Sequence, residues 1–353
     1  MYAGSELMGV AGAQTPEEFQ IAVATVIENV IQSDIPGRAA LIAAEIADKR
    51  PDFVALQEAT IWQVQTASGT LVFDQLKELL QSLQKYGQHY KVAVAQELTS
   101  ITIPDAASYT DRDVILVRSD LPPAQLKISA SETHEYNKLL SFPLLDGSTI
   151  TVYRGWIAVD VKMGNSKFKF VNTHLESPIP GVPDTQLLQL AQAAQLMEEL
   201  DETKIPVILA GDFNSDAEPT KLYPPDATLS YDYIVGAGFN DAWQFLHPKN
   251  PGYTWPLFDE TGASISLIER IDLIFSNGPK PISMTRFGTT PNRKGLYASD
   301  HAGIVAVFDL LDHHPSRSKN KPLNYDHLAP DHSLCNWPAG FLGHIWPSVY
   351  HRH

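Results

Sequence analysis

Hydrophobic residues recur at helical spacing in four segments of the chain. The predicted helices span residues 15–33, 37–49, 73–86 and 184–200. The first begins with Thr15 as N-cap, Pro16 in the first turn and Glu18 at the capping-box position. These residue types satisfy or tolerate the free N–H groups at the start of a helix.

Short apolar runs between and after these helices predict β-strands. The predicted strands cover residues 53–56, 89–97, 113–118, 150–161, 167–173, 206–210, 271–275 and 303–309. The pair Gly164-Asn165 is typical of a tight turn and predicts a hairpin. Strands and helices mix without strict alternation, so the pattern predicts an α/β (α+β) fold with packed sheets and helices outside them.

Composition narrows the class of protein. The chain has 353 residues, of which 44% are hydrophobic and 19% charged, an ordinary globular balance. No run approaches the ~20 apolar residues that span a bilayer, so no stable membrane insertion is expected. The net charge of -15 disfavours broad capture of nucleic acid. It still allows an enzyme that meets a phosphate at a metal-neutralised site.

The two ends of the chain differ from its body. The start lacks the features of a signal peptide, so a cytoplasmic location is expected as written, with secretion the alternative if a leader lies upstream. We expect one domain over residues 1–310 and an irregular, disordered tail over 311–353. The tail holds seven of the twelve histidines. The alternative for this tail is metal binding by His313, His314, His327 and His332.

Polar clusters follow or flank the ends of five predicted strands. Their candidate functional residues are Glu58, Asn172, His174, Asp212, Asn214, Asp272, Asp300 and His301. Sites collect at strand ends because the strands fix positions while the loops stay free to vary. The clusters are therefore expected to converge on one site.

These residue types suit phosphoester hydrolysis. The carboxylate of Glu58 suits a hard cation such as Mg²⁺ or Mn²⁺. Asp212 or His301 could orient and deprotonate water, and His174 could give a proton to the leaving oxygen. A neutral amide, from Asn214 or Asn172, can donate a hydrogen bond to a phosphoryl oxygen without repelling it.

Each residue also has a purely structural alternative. Glu58 could be a solvated strand-end carboxylate, and residues 212–215 could form an ordinary Asx turn. Asp272 could pair with Arg270, or it could fix the tautomer of His301. The joint order of the clusters favours the functional interpretation.

Five short stretches together resemble the endonuclease/exonuclease/phosphatase superfamily over roughly residues 1–310. They are Gln57-Glu58, Asn172-Thr173-His174-Leu175-Glu176, Gly211-Asp212-Phe213-Asn214-Ser215, Arg270-Ile271-Asp272 and Ser299-Asp300-His301. The resemblance implies a four-layer sandwich of two mixed β-sheets flanked by helices. It also implies a divalent cation, usually Mg²⁺, and attack of water on a phosphodiester or phosphomonoester.

The resemblance assigns a role to each matched residue. Glu58 matches the metal-binding carboxylate, and Asp300 matches its neighbour near the metal. Asp212 matches the residue that aligns water, and Asn214 matches the amide that contacts phosphate. The remaining catalytic match is His301, oriented by Asp272.

His174 matches a second catalytic histidine, which is found in the deoxyribonuclease I and neutral sphingomyelinase branch. In that branch a carboxylate before a central strand pairs with this histidine. The segment Tyr109-Thr110-Asp111-Arg112 resembles it, so Asp111 is the predicted partner, with Asp113 as the alternative.

One feature of the family is missing at the start of the sequence. Its members normally begin with a strand ending in an Asn that contributes to the metal site, whereas Met1-Tyr2-Ala3-Gly4 resembles the segment after that strand. Either the chain starts further upstream, or it lacks a central strand. The alternative function is therefore a catalytically impaired binding scaffold.

The substrate is expected to be a phosphoester: nucleic acid, a phospholipid or a small phosphodiester. A membrane substrate would require an exposed aromatic loop. Tyr253, Trp255 and Phe258 could form one, or they could pack against the body of the domain.

Overall fold

The computed structural model describes residues 1–5, 7–144, 147–179, 183–218, 229–259 and 262–310. The predicted tail over 311–353, with its four candidate metal-binding histidines, lies outside the described residues, and the boundary at 310 stays a prediction. The helices are α1 (Met8–Ala11), α2 (Pro16–Gln32), α3 (Ile35–Lys49), α4 (Gln75–Lys85), α5 (Pro183–Asp201), α6 (Leu229–Gly236) and α7 (Ala242–Leu246). The four predicted helices are thus α2 to α5.

Within the described residues, fifteen strands accompany these helices. They are β1 (Phe53–Leu56), β2 (Ile61–Thr66), β3 (Gly69–Asp74), β4 (Tyr90–Ile103), β5 (Ala107–Arg118), β6 (Leu126–Glu135), β7 (Leu140–Pro143), β8 (Thr149–Val152), β9 (Gly155–Met163), β10 (Ser166–His174), β11 (Val207–Asp212), β12 (Asn240–Asp241), β13 (Asp272–Asn277), β14 (Lys280–Phe287) and β15 (Gly303–Asp309). Every predicted strand is present. The sequence pattern missed several others, including β2, β3, β6 and β14.

Two large sheets form the centre of the molecule. Sheet 1 has the order β1-β5-β2-β3, with β4 on the other edge of β5, and all its pairings are antiparallel. Sheet 2 has the order β12-β13-β11-β10-β9-β6, and its β10–β11 pair is parallel. Of these two, only sheet 2 is mixed. The antiparallel pair β14–β15 forms a separate two-stranded sheet.

Apolar side chains fill three layers between the elements. Helices α3 and α4 cover the outer face of sheet 1 with residues such as Ile46 and Leu79. The inner faces of both sheets meet around Ile115 and Ile208. Helix α5 covers the outer face of sheet 2, where Leu196 is fully buried. This helix–sheet–sheet–helix stacking confirms the predicted sandwich.

The strand predicted over 150–161 is interrupted. β8 ends at Val152 and β9 begins at Gly155, so Arg154 leaves the ladder. A Cβ atom at Gly155 would lie 2.2 Å from the carbonyl oxygen of His134, so the close approach of β6 and β9 requires glycine there. The interruption directs a charged side chain toward the interior.

Strand β1 is less buried than its apolar sequence predicts. Only Leu56 is buried, and Phe53, Val54 and Ala55 are half-buried. β1 lies at the end of the sheet 1 order, with a strand on one side only in the described structure. The half-buried residues of β1 line an open cavity of about 420 Å³.

Arg270 does not pair with Asp272, as one sequence alternative allowed. Its Nη1 lies 2.6 Å from Oδ2 of Asp241, and the guanidinium side chain is 1% exposed. Asp241 in turn caps α7 by accepting from the backbone N–H groups of Trp243 and Gln244. The ion pair therefore ties the start of β13 to α7.

Replacing Arg270 with Met is predicted to lower the free energy of unfolding by about 3 kcal/mol, because it leaves the buried Asp241 carboxylate without its cation. Urea unfolding measures this change. Arg293→Met, at an exposed position, is the matched control, and an equal loss in both variants would contradict the assigned role.

Candidate active site

Neighbouring strands of sheet 2 place three polar side chains side by side. The pairing register sets His174 of β10 opposite Asp212 of β11, and Asp212 opposite Asp272 of β13. All three residues lie at the strand ends on the same edge. The loop before β15 then brings His301 to Asp272. The predicted convergence is therefore present for these residues.

His301 is held by carboxylates. Its Nδ1 lies 2.9 Å from Oδ2 of Asp272, and its Nε2 lies 3.9 Å from Oδ2 of Asp300. Burial opposes the charged ring, but Asp272, Asp300 and Asp212 together raise the pKa of His301 well above its usual range. The contact with Asp272 fixes the ring so that Nε2 is directed away from that carboxylate.

His174 has a different environment from the one predicted. Nη1 of Arg154 lies 2.8 Å from Nδ1 and 3.1 Å from Nε2 of His174. Asp111, the expected partner, lies behind the arginine instead, with its Oδ2 3.8 Å from the same Nη1. A guanidinium only donates hydrogen bonds, so the histidine nitrogen that faces it is unprotonated. Burial, Arg154 and the Met1 ammonium together hold the pKa of His174 well below its usual range.

Arg154 is a site residue that the sequence interpretation missed. Besides His174 and Asp111 it contacts Glu176, whose Oε1 lies 3.7 Å from Nη2. Its Nε is buried without a hydrogen-bond partner. The available signal was an arginine followed by glycine inside an otherwise apolar run.

Three carboxylates, Asp111 and Asp113 of β5 and Glu58 after β1, lack enough nearby positive charge and hydrogen-bond donors to balance their burial. Burial raises the pKa of Glu58 to about 8, the Met1 ammonium opposes this shift, and Asp300 and Asp111 add to it. Both side-chain oxygens of Asp113 and Oδ1 of Asp111 are buried without a hydrogen-bond partner. Glu58 also has a left-handed backbone, with φ of 56°. Such strain is typical of functional positions.

Asp212 combines a turn role with a site role. Its Oδ1 accepts from the backbone N–H of Asn214 at 2.9 Å, which is the Asx turn anticipated from the sequence. Its Oδ2 lies 3.7 Å from Nε2 of His174 and 3.9 Å from Nδ1 of His301. Burial, followed by the charge of Asp272, raises the pKa of Asp212 to about 6.

The two asparagines differ in how many of their side-chain amide hydrogens are already used in hydrogen bonds within the protein. Asn172 is fully buried and donates from Nδ2 to the carbonyl oxygens of Leu56 and Val114, while its Oδ1 accepts from Gln57. Both amide hydrogens of Asn172 thus join the two sheets, and the phosphate contact expected of this residue stays a prediction. Asn214 donates from Nδ2 to the carbonyl oxygen of Leu175.

Buried glutamines of α5 support the site loops from behind. Gln189 donates to the carbonyl oxygens of both Glu176 and Asn214, and Oε1 of Gln192 accepts from the backbone N–H of Glu176. These contacts fix the loops that follow β10 and β11. The helical pattern of α5 alone did not predict them.

The aromatic loop packs on the domain. Phe258 contacts Tyr2 and Tyr297 with ring centroids 5.5 and 5.8 Å apart, and Trp255 lies 6.3 Å from the ring of His301. Tyr253 is half-buried as well. The alternative that these residues anchor the loop is thus favoured over a membrane-binding loop. Among the described helices, none has the length and apolarity to cross a bilayer.

A comparison with known protein families shows to which family the chain belongs. The profile of the Endonuclease/Exonuclease/phosphatase family matches residues 31–301, which is most of the chain. The chain belongs to the endonuclease/exonuclease/phosphatase family. Family membership supports a metal-dependent phosphoesterase or nuclease at this level, as the five motifs predicted.

Solved structures agree on the fold. A humanized D. rerio TDP2 with 14 mutations is 21% identical with a TM-score of 0.52, covering 78% of this chain and 93% of that one. A family protein from Leptotrichia buccalis is 21% identical with a TM-score of 0.52, covering 77% and 93%. One from Beutenbergia cavernae is 19% identical with a TM-score of 0.52, covering 77% and 66%. None of the curated proteins matches the chain.

The raised pKa of His301 has a consequence for stability. A histidine with a raised folded-state pKa stabilises the fold fully below its unfolded pKa of about 6.5 and loses this effect as pH rises through the folded value. Asp272→Asn is therefore predicted to lower the free energy of unfolding most at pH 6 and least at high pH.

Urea unfolding from pH 6 to 9 in EDTA tests this dependence. Asp201→Asn, at an exposed position on α5, is the control and should show no such trend. A constant difference between the wild type and Asp272→Asn across the range would rule out the charged His301–Asp272 pair.

Proposed function

We propose that the protein is a metal-dependent phosphodiesterase that cleaves its substrate with an activated water. The observation that carries this proposal is the position of the His301–Asp272 pair. It lies next to Asp212, and Asp300 and Glu58 interact electrostatically with the same histidine. The site thus places an acid–base group, His301, beside several carboxylates that lack enough positive charge to balance them.

The residues present fit a divalent cation. Both side-chain oxygens of Asp113 and Oδ1 of Asp111 are buried without a hydrogen-bond partner, and burial, together with the charges of Asp300 and Asp111, raises the pKa of Glu58. Glu58 and Asp300 are the proposed ligands, and oxygen donors of this kind suit Mg²⁺ or Mn²⁺. A second candidate set is Asp212, Asp272 and His301, whose donor atoms lie within 4.8 Å of one another. When bound, the cation would neutralise the phosphate and stabilise negative charge on its oxygens.

Asp212 is proposed to hold and deprotonate the attacking water. Its pKa of about 6 keeps it ionised at neutral pH. Because this pKa also lies close to neutral pH, the carboxylate can accept a proton efficiently. Its Oδ1 is occupied by the Asx turn, so Oδ2 is the atom that would take the proton.

The two histidines are proposed to have different roles. His301, charged and oriented by Asp272, would donate from Nε2 to a phosphoryl or leaving oxygen. Burial and the neighbouring Arg154 hold the pKa of His174 well below its usual range, so it would act as a neutral hydrogen-bond partner and not as the acid suggested from sequence. Asn214 uses one amide hydrogen on Leu175, and the other would contact the phosphate.

The substrate is proposed to be a phosphodiester with its scissile group accessible at the rim, which includes nucleic acid and small phosphodiesters. Because the half-buried aromatic residues of the loop pack on the domain, the main argument for a phospholipid substrate is weakened.

His301→Ala is predicted to lower kcat for bis-p-nitrophenyl phosphate with Mg²⁺ by at least about 10²-fold, the scale for a positioned acid–base group. EDTA should abolish the wild-type activity. The control is His89→Ala, at an exposed position outside the site. Equal activity in all three proteins would defeat the proposed role, and no activity in any would favour the scaffold.

Arg154→Met is predicted to shift the acid limb of the kcat/KM profile to higher pH, because the pKa of His174 rises when the neighbouring cation is removed. The rate at neutral pH should fall roughly tenfold, the low end for residues that orient a site. Arg154→Lys keeps the charge and should restore the position of the acid limb. An unshifted limb in Arg154→Met would mean that Arg154 does not control His174.

A further inference from the structure

Four buried oxygen atoms of sheet 1 have no hydrogen-bond partner within the described part of the chain. They are Oε1 of Gln96 on β4 and, on β5, Oδ1 of Asp111 and both side-chain oxygens of Asp113. Asp113 is fully buried, Asp111 is 3% exposed and Gln96 is 9% exposed. Amide and ionised carboxylate oxygens only accept hydrogen bonds, so each of the four needs a donor or a cation. We call these three residues the Asp113 cluster.

The strand register places the three side chains of the cluster on one face. Gln96 lies directly opposite Asp113 in the antiparallel β4–β5 pair, and Asp111 lies two residues before Asp113 on the same strand. Opposite residues in a ladder have Cβ atoms about 5 Å apart, and residues i and i+2 share a face. Ile115, the next residue on this face, packs in the layer between the two sheets. The cluster therefore lies on the inner face of sheet 1.

The amide of Gln96 is held in one orientation by sheet 2. Its Nε2 donates to the carbonyl oxygen of His134 at 3.3 Å. A carbonyl oxygen cannot donate, so the amide atom that faces it is the nitrogen, and Oε1 faces away. A Cβ atom at Gly155 would lie 3.3 Å from this Oε1. The glycine thus leaves open the space beside an acceptor that has no donor.

The charges around the cluster do not balance. Nη1 of Arg154 lies 3.8 Å from Oδ2 of Asp111, and its Nη2 lies 3.7 Å from Oε1 of Glu176. Asp113 interacts electrostatically with the same guanidinium. One cation thus faces three buried carboxylates, which leaves two negative charges when all three are ionised. Burial, followed by the charge of Asp111, raises the pKa of Asp113 well above its ordinary range.

A divalent cation with a flexible oxygen shell fits this deficit of two charges. Glu58 and the Met1 ammonium also act on Asp113, but in opposite directions. Ca²⁺ binds about six to eight oxygens, accepts amide carbonyls and can take both oxygens of one carboxylate, as Asp113 offers them. Mg²⁺ usually keeps several of its waters, so a buried set of protein oxygens suits it less. The donor set therefore favours Ca²⁺.

We propose that the Asp113 cluster is a binding site for one Ca²⁺ ion, separate from the catalytic cation proposed at Glu58 and Asp300. Both oxygens of Asp113, Oδ1 of Asp111 and Oε1 of Gln96 are the protein ligands. The ion joins β4 to β5 and stabilises the packing of the two sheets, because it compensates carboxylates that otherwise repel each other. This inference is independent of the proposed catalytic function. The competing explanation is a proton on Asp113 that is donated to Oε1 of Gln96.

The test measures Ca²⁺ binding by calorimetry on the full chain carrying Glu58→Gln, which removes the proposed catalytic ligand. This protein should bind one Ca²⁺ per chain, and the added substitution Asp113→Asn should abolish the binding. At a Ca²⁺ concentration about 100 times the dissociation constant, the Tm of Glu58→Gln should rise by about 5 °C. The Tm of the double variant should not respond to Ca²⁺.

A second variant, Gln96→Met, covers the case in which Asp113→Asn does not fold. It removes Oε1 and keeps the length of the side chain. In the Glu58→Gln background it should weaken Ca²⁺ binding at least about tenfold, the low end for residues that support a metal site. The matched control is Gln63→Met, at an exposed position on β2 of the same sheet, and it should leave the affinity unchanged.

Two results would overturn the proposal. Ca²⁺ binding that both Asp113→Asn and Gln96→Met leave intact would place the ion elsewhere. Absence of saturable Ca²⁺ binding in Glu58→Gln would exclude the site altogether. In that case, an infrared band of a protonated carboxyl group at pH 7 that is lost in Asp113→Asn would identify a proton as the group that satisfies the cluster.

Discussion

Burial of carboxylates without enough counter-charge is the constraint on which the rest of the site depends. Sheet packing buries Asp111 and Asp113 and half-buries Glu58, and burial is the largest cause of the raised pKa of each. Burying charge without compensation is strongly unfavourable, so each carboxylate must be protonated, paired or bound to a cation. The raised pKa values of these groups reflect the unfavourable burial of their charged forms. A site with this electrostatic balance is suited to recruit a metal ion and, through it, a phosphate.

The same constraint separates the two histidines. His301 lies among Asp272, Asp212 and Asp300 and is held in the charged form, whereas His174 faces Arg154 and is held neutral. The two rings come within reach of the same carboxylate, Asp212. Groups of one chemical type whose pKa values are pushed apart by their surroundings can take different roles in one site. The parallel pairing of β10 and β11 places His174 beside Asp212, and the loop before β15 brings His301 to Asp272.

Local pattern predicted most elements because their signals are local. Thr15 caps α2 by accepting from the N–H of Glu18, and the Gly164 turn joins β9 to β10, both as expected. Strands β2 and β3 were missed because their polar and exposed positions give no clear apolar run. The pair β14–β15 lies apart from both large sheets, and that separation is a tertiary property that no local pattern carries.

Site residues were predictable where a motif fixed them and unpredictable where packing did. The contact of Asp272 with His301 and the turn at Asp212 follow from motif order. The replacement of Asp111 by Arg154 at His174 depends on a strand interruption that a run of apolar residues conceals. Asn172 has the residue type of a phosphate ligand, but full burial commits its amide to joining the sheets. The sequence shows which functional groups are present, and packing decides which of them remain free to contact a ligand.

Cation binding by the carboxylates tests the account most directly. Mn²⁺ is titrated into the full chain by calorimetry at pH 7 in two buffers of different ionisation enthalpy, which gives the number of protons released. Because burial raises the pKa of Glu58 to about 8, binding at this carboxylate must displace its proton. The account predicts saturable binding with release of about one proton, and loss of that release in Glu58→Gln. Absence of saturable binding, or binding and proton release that Glu58→Gln leaves unchanged, would contradict it.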